Sequence, residues 1–148
     1  MSFEVLLFDT GACQWRCGRA DEQGPDVVLP GIAAGDTEAW QLQIKAAIEQ
    51  LEADPTESAL ILSEPPATTT AQRAERADFL FGMGLRSVHF AAAPVLAIYD
   101  AGFDTGMVVD VGQRAAYIYG LVDGLSVLEA ATVVPLPLPS GEERTWPG

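Results

Sequence analysis

Apolar positions along the chain come in short blocks separated by turn chemistry, and their period changes several times. Val5-Leu6-Leu7-Phe8 stops at Asp9-Thr10-Gly11, the pattern of a buried strand running into a tight turn. Gln14 to Cys17 reads as the return strand, and Val27-Val28-Leu29, stopped by Pro30-Gly31, as a third. The chain is therefore predicted to open with a three-stranded meander. Asp36 can then cap a helix in which Trp40, Ile44, Ala47, Ile48 and Leu51 fall on one face. Ala59-Leu60-Ile61-Leu62 is too short for a helix and reads as a strand buried on both faces. Thr68 to Thr70 offer caps for a second helix over Ala71–Met83, with Phe79, Leu80 and Met83 available for the core. Ser87–Ala92 is a further strand, and Pro94 fits the first turn of a helix running to Gly102.

After Gly102 the opening pattern returns. Gly106-Met107-Val108-Val109 runs into Asp110-Val111-Gly112, Ala115 to Tyr119 comes back, and Leu121 to Val127 goes out again. Strand, Asp-x-Gly turn, strand thus occurs at 5–17 and at 107–119, an internal self-similarity that points to duplicated architecture. The predicted order is βββαβαβα and then a three-stranded meander. Hairpins followed by crossovers imply a mixed sheet, antiparallel on one side and parallel on the other. From Pro135 onward leucine alternates with proline and the last residues are polar, so this tail is read as extended or disordered.

Composition narrows the function classes. Of 148 residues, 49% are hydrophobic and 20% charged, which suits a globular protein with a core. The balance of 21 acidic against 8 basic residues gives a net charge of −13, which repels phosphate backbones and anionic lipid and argues against nucleic-acid and membrane partners. No apolar run approaches the ~18 residues of a membrane span, and the first residues lack the basic start of a signal peptide. A cytoplasmic location is the expectation. Cys13 and Cys17, with His89 as the single histidine, cannot assemble a four-ligand zinc site; they are expected to be reduced thiols in or near the core. His89 is read as structural. Ser63 and Glu64 carry no hydrolase motif, and Glu64 is read as a loop residue or helix cap.

An Asp-x-Gly turn between strands can offer several backbone N–H groups to one anion, while its aspartate can hold a metal ion or that ion's waters. Asp9 with Gly11, and Asp110 with Gly112, are therefore the candidate site residues, and two such turns facing each other could clamp a triphosphate.

The chain resembles the actin family, within the wider group of sugar kinases, heat-shock ATPases and actins. The resemblance rests on Val5-Leu6-Leu7-Phe8-Asp9-Thr10-Gly11, on Leu29-Pro30, on Leu60-Ile61-Leu62-Ser63-Glu64-Pro65-Pro66 and on Pro94-Val95-Leu96-Ala97-Ile98-Tyr99-Asp100-Ala101-Gly102. It continues from Thr105 through Asp110-Val111-Gly112 to Gly120-Leu121-Val122-Asp123-Gly124. It implies an α/β, actin-like (RNase H-like) first lobe over 1–104 lacking the small inserted subdomain, a meander from the start of the second lobe over 105–134, and a tail over 135–148. Most of a second lobe would then be missing, and the lobe would be cut short just after the second phosphate-loop hairpin.

By the same resemblance, Asp9, Gly11, Asp110 and Gly112 match the two phosphate loops. The family's loop serine falls on Ala12, the next glycine on Cys13 and its phosphate-binding lysine on Arg16, which keeps the charge with a different geometry. In the second loop Gln113 stands at an acidic position and Arg114 at a glycine, and the water-positioning glutamine falls on Ala93. Hydrolysis of ATP is expected to be lost.

Two function classes remain. The preferred one is a non-catalytic interaction module without cofactor, for which the family resemblance implies a cytoskeleton-related setting, that pairs with itself or with another actin-like protein and buries Val108, Ile118 or Leu121 of an orphaned meander. The alternative is a nucleotide or phosphate binder using Asp9, Arg16, Asp110 and Arg114, with Mg-ATP held at Asp9 and Asp110. Arg114 could meet phosphate or close the old site by pairing with Asp9 or Asp110, and the second is preferred.

Overall fold

The computed structural model describes residues 3–33, 35–65, 68–113 and 115–136. Packing divides it into two units, residues 1–92 and 93–148.

The first unit is a five-stranded mixed sheet. Its strands are β1 (Glu4–Thr10), β2 (Gln14–Arg19), β3 (Val27–Pro30), β4 (Ser58–Glu64) and β5 (Ser87–Ala92), in the order β3-β2-β1-β4-β5. β1 pairs antiparallel with β2 and parallel with β4, and β4 pairs parallel with β5. The division into an antiparallel and a parallel half follows from the connections: short turns join β1 to β2 and β2 to β3, whereas helices α1 (Thr37–Gln50) and α2 (Thr70–Gly82) lie in the links that precede β4 and β5.

Alternation along the strands decides which face is covered. Leu6, Phe8, Trp15, Cys17, Leu60 and Leu62 point to one face, where Trp40, Ile44, Ala47 and Ile48 of α1 and Leu80 of α2 pack on them. The helical spacing expected around Trp40 is the spacing observed. Trp40 stands edge-on to both Trp15, at 6.4 Å, and Phe79, at 5.8 Å between ring centres, a geometry favoured by the ring quadrupoles. Asp36 caps α1 by accepting from the Ala39 N–H at 2.9 Å. Thr69 and Gln72 form a reciprocal capping box on α2, which satisfies two otherwise orphaned N–H groups.

The second unit contains α3 (Ala93–Asp100) and a three-stranded antiparallel sheet of β6 (Gly106–Val111), β7 (Ala115–Val122) and β8 (Leu125–Pro135), ordered β6-β7-β8. The division falls before α3, earlier than the boundary at 104 read from the sequence. Ile98 of α3 is buried with Tyr119 and Leu121, beside Val95, Val108 and Tyr117, and this apolar contact ties the helix to the second sheet.

Two boundaries differ from the sequence reading. The hairpin expected near Gly120 lies at Asp123-Gly124, with φ of 50° and 73°. Both residues take the left-handed conformation that a tight two-residue hairpin requires, and Asp-Gly adopts it readily. The second difference concerns Pro135, where the alternation of leucine and proline predicts the start of the tail; it pairs with Ala115 as the last residue of β8. Residues 137–148 of that tail lie outside the described residues.

Candidate functional site

The first Asp-x-Gly turn sits at the carboxyl ends of β1 and β4, the place where open α/β sheets present loops to ligands. Register brings its parts together. Phe8 pairs with Leu62, so the next residues, Asp9 and Ser63, meet on the same face. Ser63 donates its hydroxyl to Asp9 Oδ1 at 2.7 Å and accepts the Thr10 N–H at 3.1 Å, while Thr10 Oγ1 donates to the Ser63 carbonyl at 3.0 Å. The hydroxyl of Ser63 thereby bridges a carboxylate and a backbone donor across two strands. Sequence reasoning left Ser63 out of the site; its signal was its position one residue beyond the apolar run of β4.

Arg16 returns along β2 and places Nη1 4.0 Å from Asp9 Oδ2, with both side chains about half exposed. With the Gln14 amide turned so that its oxygen faces the guanidinium, Gln14 accepts from Arg16 at 2.6 and 3.0 Å. The loop itself is covered from behind by Gly31, whose N–H donates to the Cys13 carbonyl at 2.8 Å. A Cβ at Gly31 would overlap the Ala12 carbonyl oxygen, so this approach is open to glycine alone.

The two cysteines part company. Cys17 points inward and is buried, whereas Cys13 is exposed, because it precedes β2 and escapes the strand's alternation. Burial, and then the negative charge of Asp9, push the Cys17 thiol up to about 12, so it remains a neutral core group. His89 is exposed on β5, so it is no part of a buried structural network.

Glu64 differs from its expected role as loop residue or cap. It is the last residue of β4 and buried, and Arg73 of α2 donates both Nε, at 2.8 Å, and Nη2 to its Oε1. Oε2 of Glu64 and the indole Nε1 of Trp40 are buried without a hydrogen-bond partner. Arg76 lies over the Trp40 ring at 5.2 Å; burial lowers its pKa, and the charge of Glu64 opposes that shift.

The second turn belongs to the other unit. Gly112 donates its N–H to the Ala115 carbonyl at 3.0 Å, closing the hairpin. Asp110 is exposed and pairs across the sheet with Tyr117. Tyr119 is pushed up to about 12 by burial first, then by Tyr117 and Asp110. Arg114 lies outside the described residues. Ala93 opens α3, half-buried. No cluster of three or more metal-ligating side chains occurs among the described residues, and none of the described helices is long and apolar enough to cross a membrane.

The three candidate interface residues fall on different faces. Leu121 is 1% exposed and packs with Val108 under α3, so these two serve the unit's own core. Ile118 pairs with Val109 on the opposite face. There, Met107, Val109 and Val111 of β6 are 74%, 58% and 50% exposed, and Val122, Leu125, Val127 and Val134 are exposed as well. Cross-strand pairing puts all of them on one side of the sheet. Sequence reasoning anticipated an uncovered apolar meander but not that α3 covers one of its faces.

A mixed sheet with helices on one face, followed by a second copy of its opening hairpin, defines an α/β chain of duplicated design. The Actin family model matches residues 36–137, and the chain belongs to the actin family. Similar proteins include actin-related protein 2 of Acanthamoeba castellanii, 32% identical over 53% of this chain and 21% of that protein. Actin-related protein 4 of Arabidopsis thaliana is 34% identical over 56% of this chain and 19% of its own length. Actin-like protein 7B of Macaca fascicularis is 28% identical over 57% and 20%. The chain spans about a fifth of the length of these curated relatives.

Proposed function

We propose that this chain is a non-hydrolysing interaction module of the actin family that engages another actin-like protein through the open face of its second sheet. The observation that carries this reading is the contiguous apolar surface of Met107, Val109 and Val111 beside Val122, Leu125 and Val134, all exposed. A patch of this kind on a chain of net charge −13 is a contact surface, since water disfavours it and the surrounding charge keeps the rest of the surface solvated.

The phosphate-loop residues support the same reading. The Thr10 N–H is bonded to Ser63 and the Gly112 N–H to Ala115, so two turn amides that an anion would need are already satisfied within the protein. Asp9 accepts the Ser63 hydroxyl at 2.7 Å and has the Arg16 guanidinium 4.0 Å away, so both of its oxygens already face partners within the protein. This donor set is a poor fit for a Mg-nucleotide. Ala93, at the position where the family resemblance places a water-orienting glutamine, has no polar atom on its side chain with which to hold a nucleophile.

Light scattering on the chain alone and mixed with an actin-like protein, with and without Mg-ATP, tests this. The expected result is association that ignores nucleotide and is lost in Val109→Lys. A monomer in every mixture would remove the proposal, and assembly that needs Mg-ATP would replace it with the nucleotide-clamp reading.

A further inference from the structure

Two buried side-chain polar atoms among the described residues have no hydrogen-bond partner within the protein, and they are chemically complementary: Oε2 of Glu64 is an acceptor and Nε1 of Trp40 is a donor. Glu64 is 4% exposed and Trp40 5%, so neither atom can turn to bulk solvent. An unmatched buried group carries the full cost of its desolvation, and that cost is greatest for a charged oxygen.

Both atoms belong to one corner of the first unit. Alternation along β4 turns Leu60, Leu62 and then Glu64 to the helix-covered face. Phe8 pairs with Leu62 and Thr10 with Trp15, so Trp15, Thr10 and Glu64 follow one another in a row across β2, β1 and β4. At the usual strand spacing the ends of that row are roughly 10 Å apart. Trp40 stands over the Trp15 end, with ring centres separated by 6.4 Å. The Arg76 guanidinium lies 5.2 Å over the Trp40 ring and also feels the charge of Glu64, so it borders both groups.

The protein groups around the two atoms are already committed. A guanidinium fork can meet both oxygens of a carboxylate, yet Nε and Nη2 of Arg73 both donate to Oε1 of Glu64. Oε2 is thereby turned away from them. Arg76 rests on the face of the indole instead. The indole itself is held edge-on between Trp15 and Phe79, which fixes the direction of its N–H.

We propose that one internal water molecule sits in this corner, donating to Oε2 of Glu64 and accepting the N–H of Trp40. The charges select a neutral ligand: a cation is repelled by the indole N–H, and an anion by the carboxylate. Water is the smallest molecule that donates and accepts at once, and internal waters take about two to four such partners. The bridge joins α1 to the end of β4. Glu64 directly follows Ser63, so the same anchor stiffens the strand end that presents the Ser63 hydroxyl to Asp9 and Thr10.

The test uses the full chain labelled with 15N, in which the indole Hε1 of Trp40 is assigned by its loss in Trp40→Phe. Nuclear Overhauser and rotating-frame spectra are then read at the water frequency. The expected result is a cross-peak between Hε1 and water with the sign of a long-lived internal molecule. It is expected to persist in Arg76→Met, which removes guanidinium protons that could relay exchange, and to vanish in the double variant Arg73→Met, Glu64→Leu, which removes the acceptor. The remaining amide signals show whether each variant is folded. An Hε1 without the cross-peak overturns the proposal, as does a cross-peak lost in Arg76→Met or kept in a folded double variant. A crystal structure of the unaltered chain decides independently of the variants: ordered water within hydrogen-bond distance of both atoms supports the bridge, and Arg76 on Oε2 or a protein acceptor on Nε1 overturns it.

Discussion

Ser63 Oγ lies 2.7 Å from Asp9 Oδ1 and 3.1 Å from the Thr10 nitrogen, so one hydroxyl ties the first Asp-x-Gly turn to the neighbouring parallel strand. Ser63 is 6% exposed, and deleting its hydroxyl leaves the part-buried Thr10 N–H unmatched. Ser63→Ala is expected to cost about 1–2 kcal/mol of stability, read as a lower urea midpoint with unchanged slope. A midpoint equal to the parent's would mean that the bridge carries no net stabilisation.

The Glu64–Arg73 pair makes a sharper case, because the carboxylate is buried while the guanidinium is partly exposed. Arg73→Met is expected to destabilise by roughly 1.5–3 kcal/mol, the worth of a hydrogen bond to a charged group. Adding Glu64→Leu to Arg73→Met is expected to recover much of that loss, since the stranded charge is then gone. Thermal denaturation of the two variants checks this, and a double variant weaker than Arg73→Met alone would contradict it.

Alkaline pH is expected to weaken the fold through Cys17. Burial, and then the charge of Asp9, push its thiol from 9.0 up to about 12 in the fold, so the unfolded chain releases the proton first. The stabilisation is complete below pH ~9 and falls as pH rises toward ~12. Tyr119, raised from 10.0 to about 12, adds a second loss that begins near pH 10. Melting temperatures between pH 7 and 11 should therefore fall, and Cys17→Ala should flatten the onset between pH 9 and 10. In the same samples at neutral pH, Cys13 should react with a thiol reagent while Cys17 stays silent until unfolding.

Gly31→Ala is expected to be among the most damaging single-methyl additions, because the new Cβ meets the backbone carbonyl of Ala12 rather than a movable side chain. About 1–3 kcal/mol is the ordinary cost of such overpacking, and the shift should also loosen the Gly31 bond to Cys13. Gly82→Ala is the control, since nothing lies within 4 Å of its added Cβ and alanine favours the helix by up to ~1 kcal/mol. Equal midpoints for the two variants would argue against the close approach.

Local pattern alone was enough to read the elements of this protein and much of its topology. The Trp40–Leu51 spacing, the Asp36 cap, the two Asp-x-Gly turns and the order of hairpins and crossovers are properties of neighbours in the chain, and they dictate a sheet antiparallel on one side and parallel on the other. The positions that depend on distant residues were out of reach. Ser63 meets Asp9 because β1 and β4 pair in one particular register, and Glu64 is a buried ion-pair partner because α2 returns Arg73 to it. Val108 and Leu121 look like their exposed neighbours in sequence, yet pleating turns them under α3 and leaves Met107 and Val109 bare. Periodicity says which residues share a face; what covers that face is settled by long-range packing, and only the tertiary structure decided it.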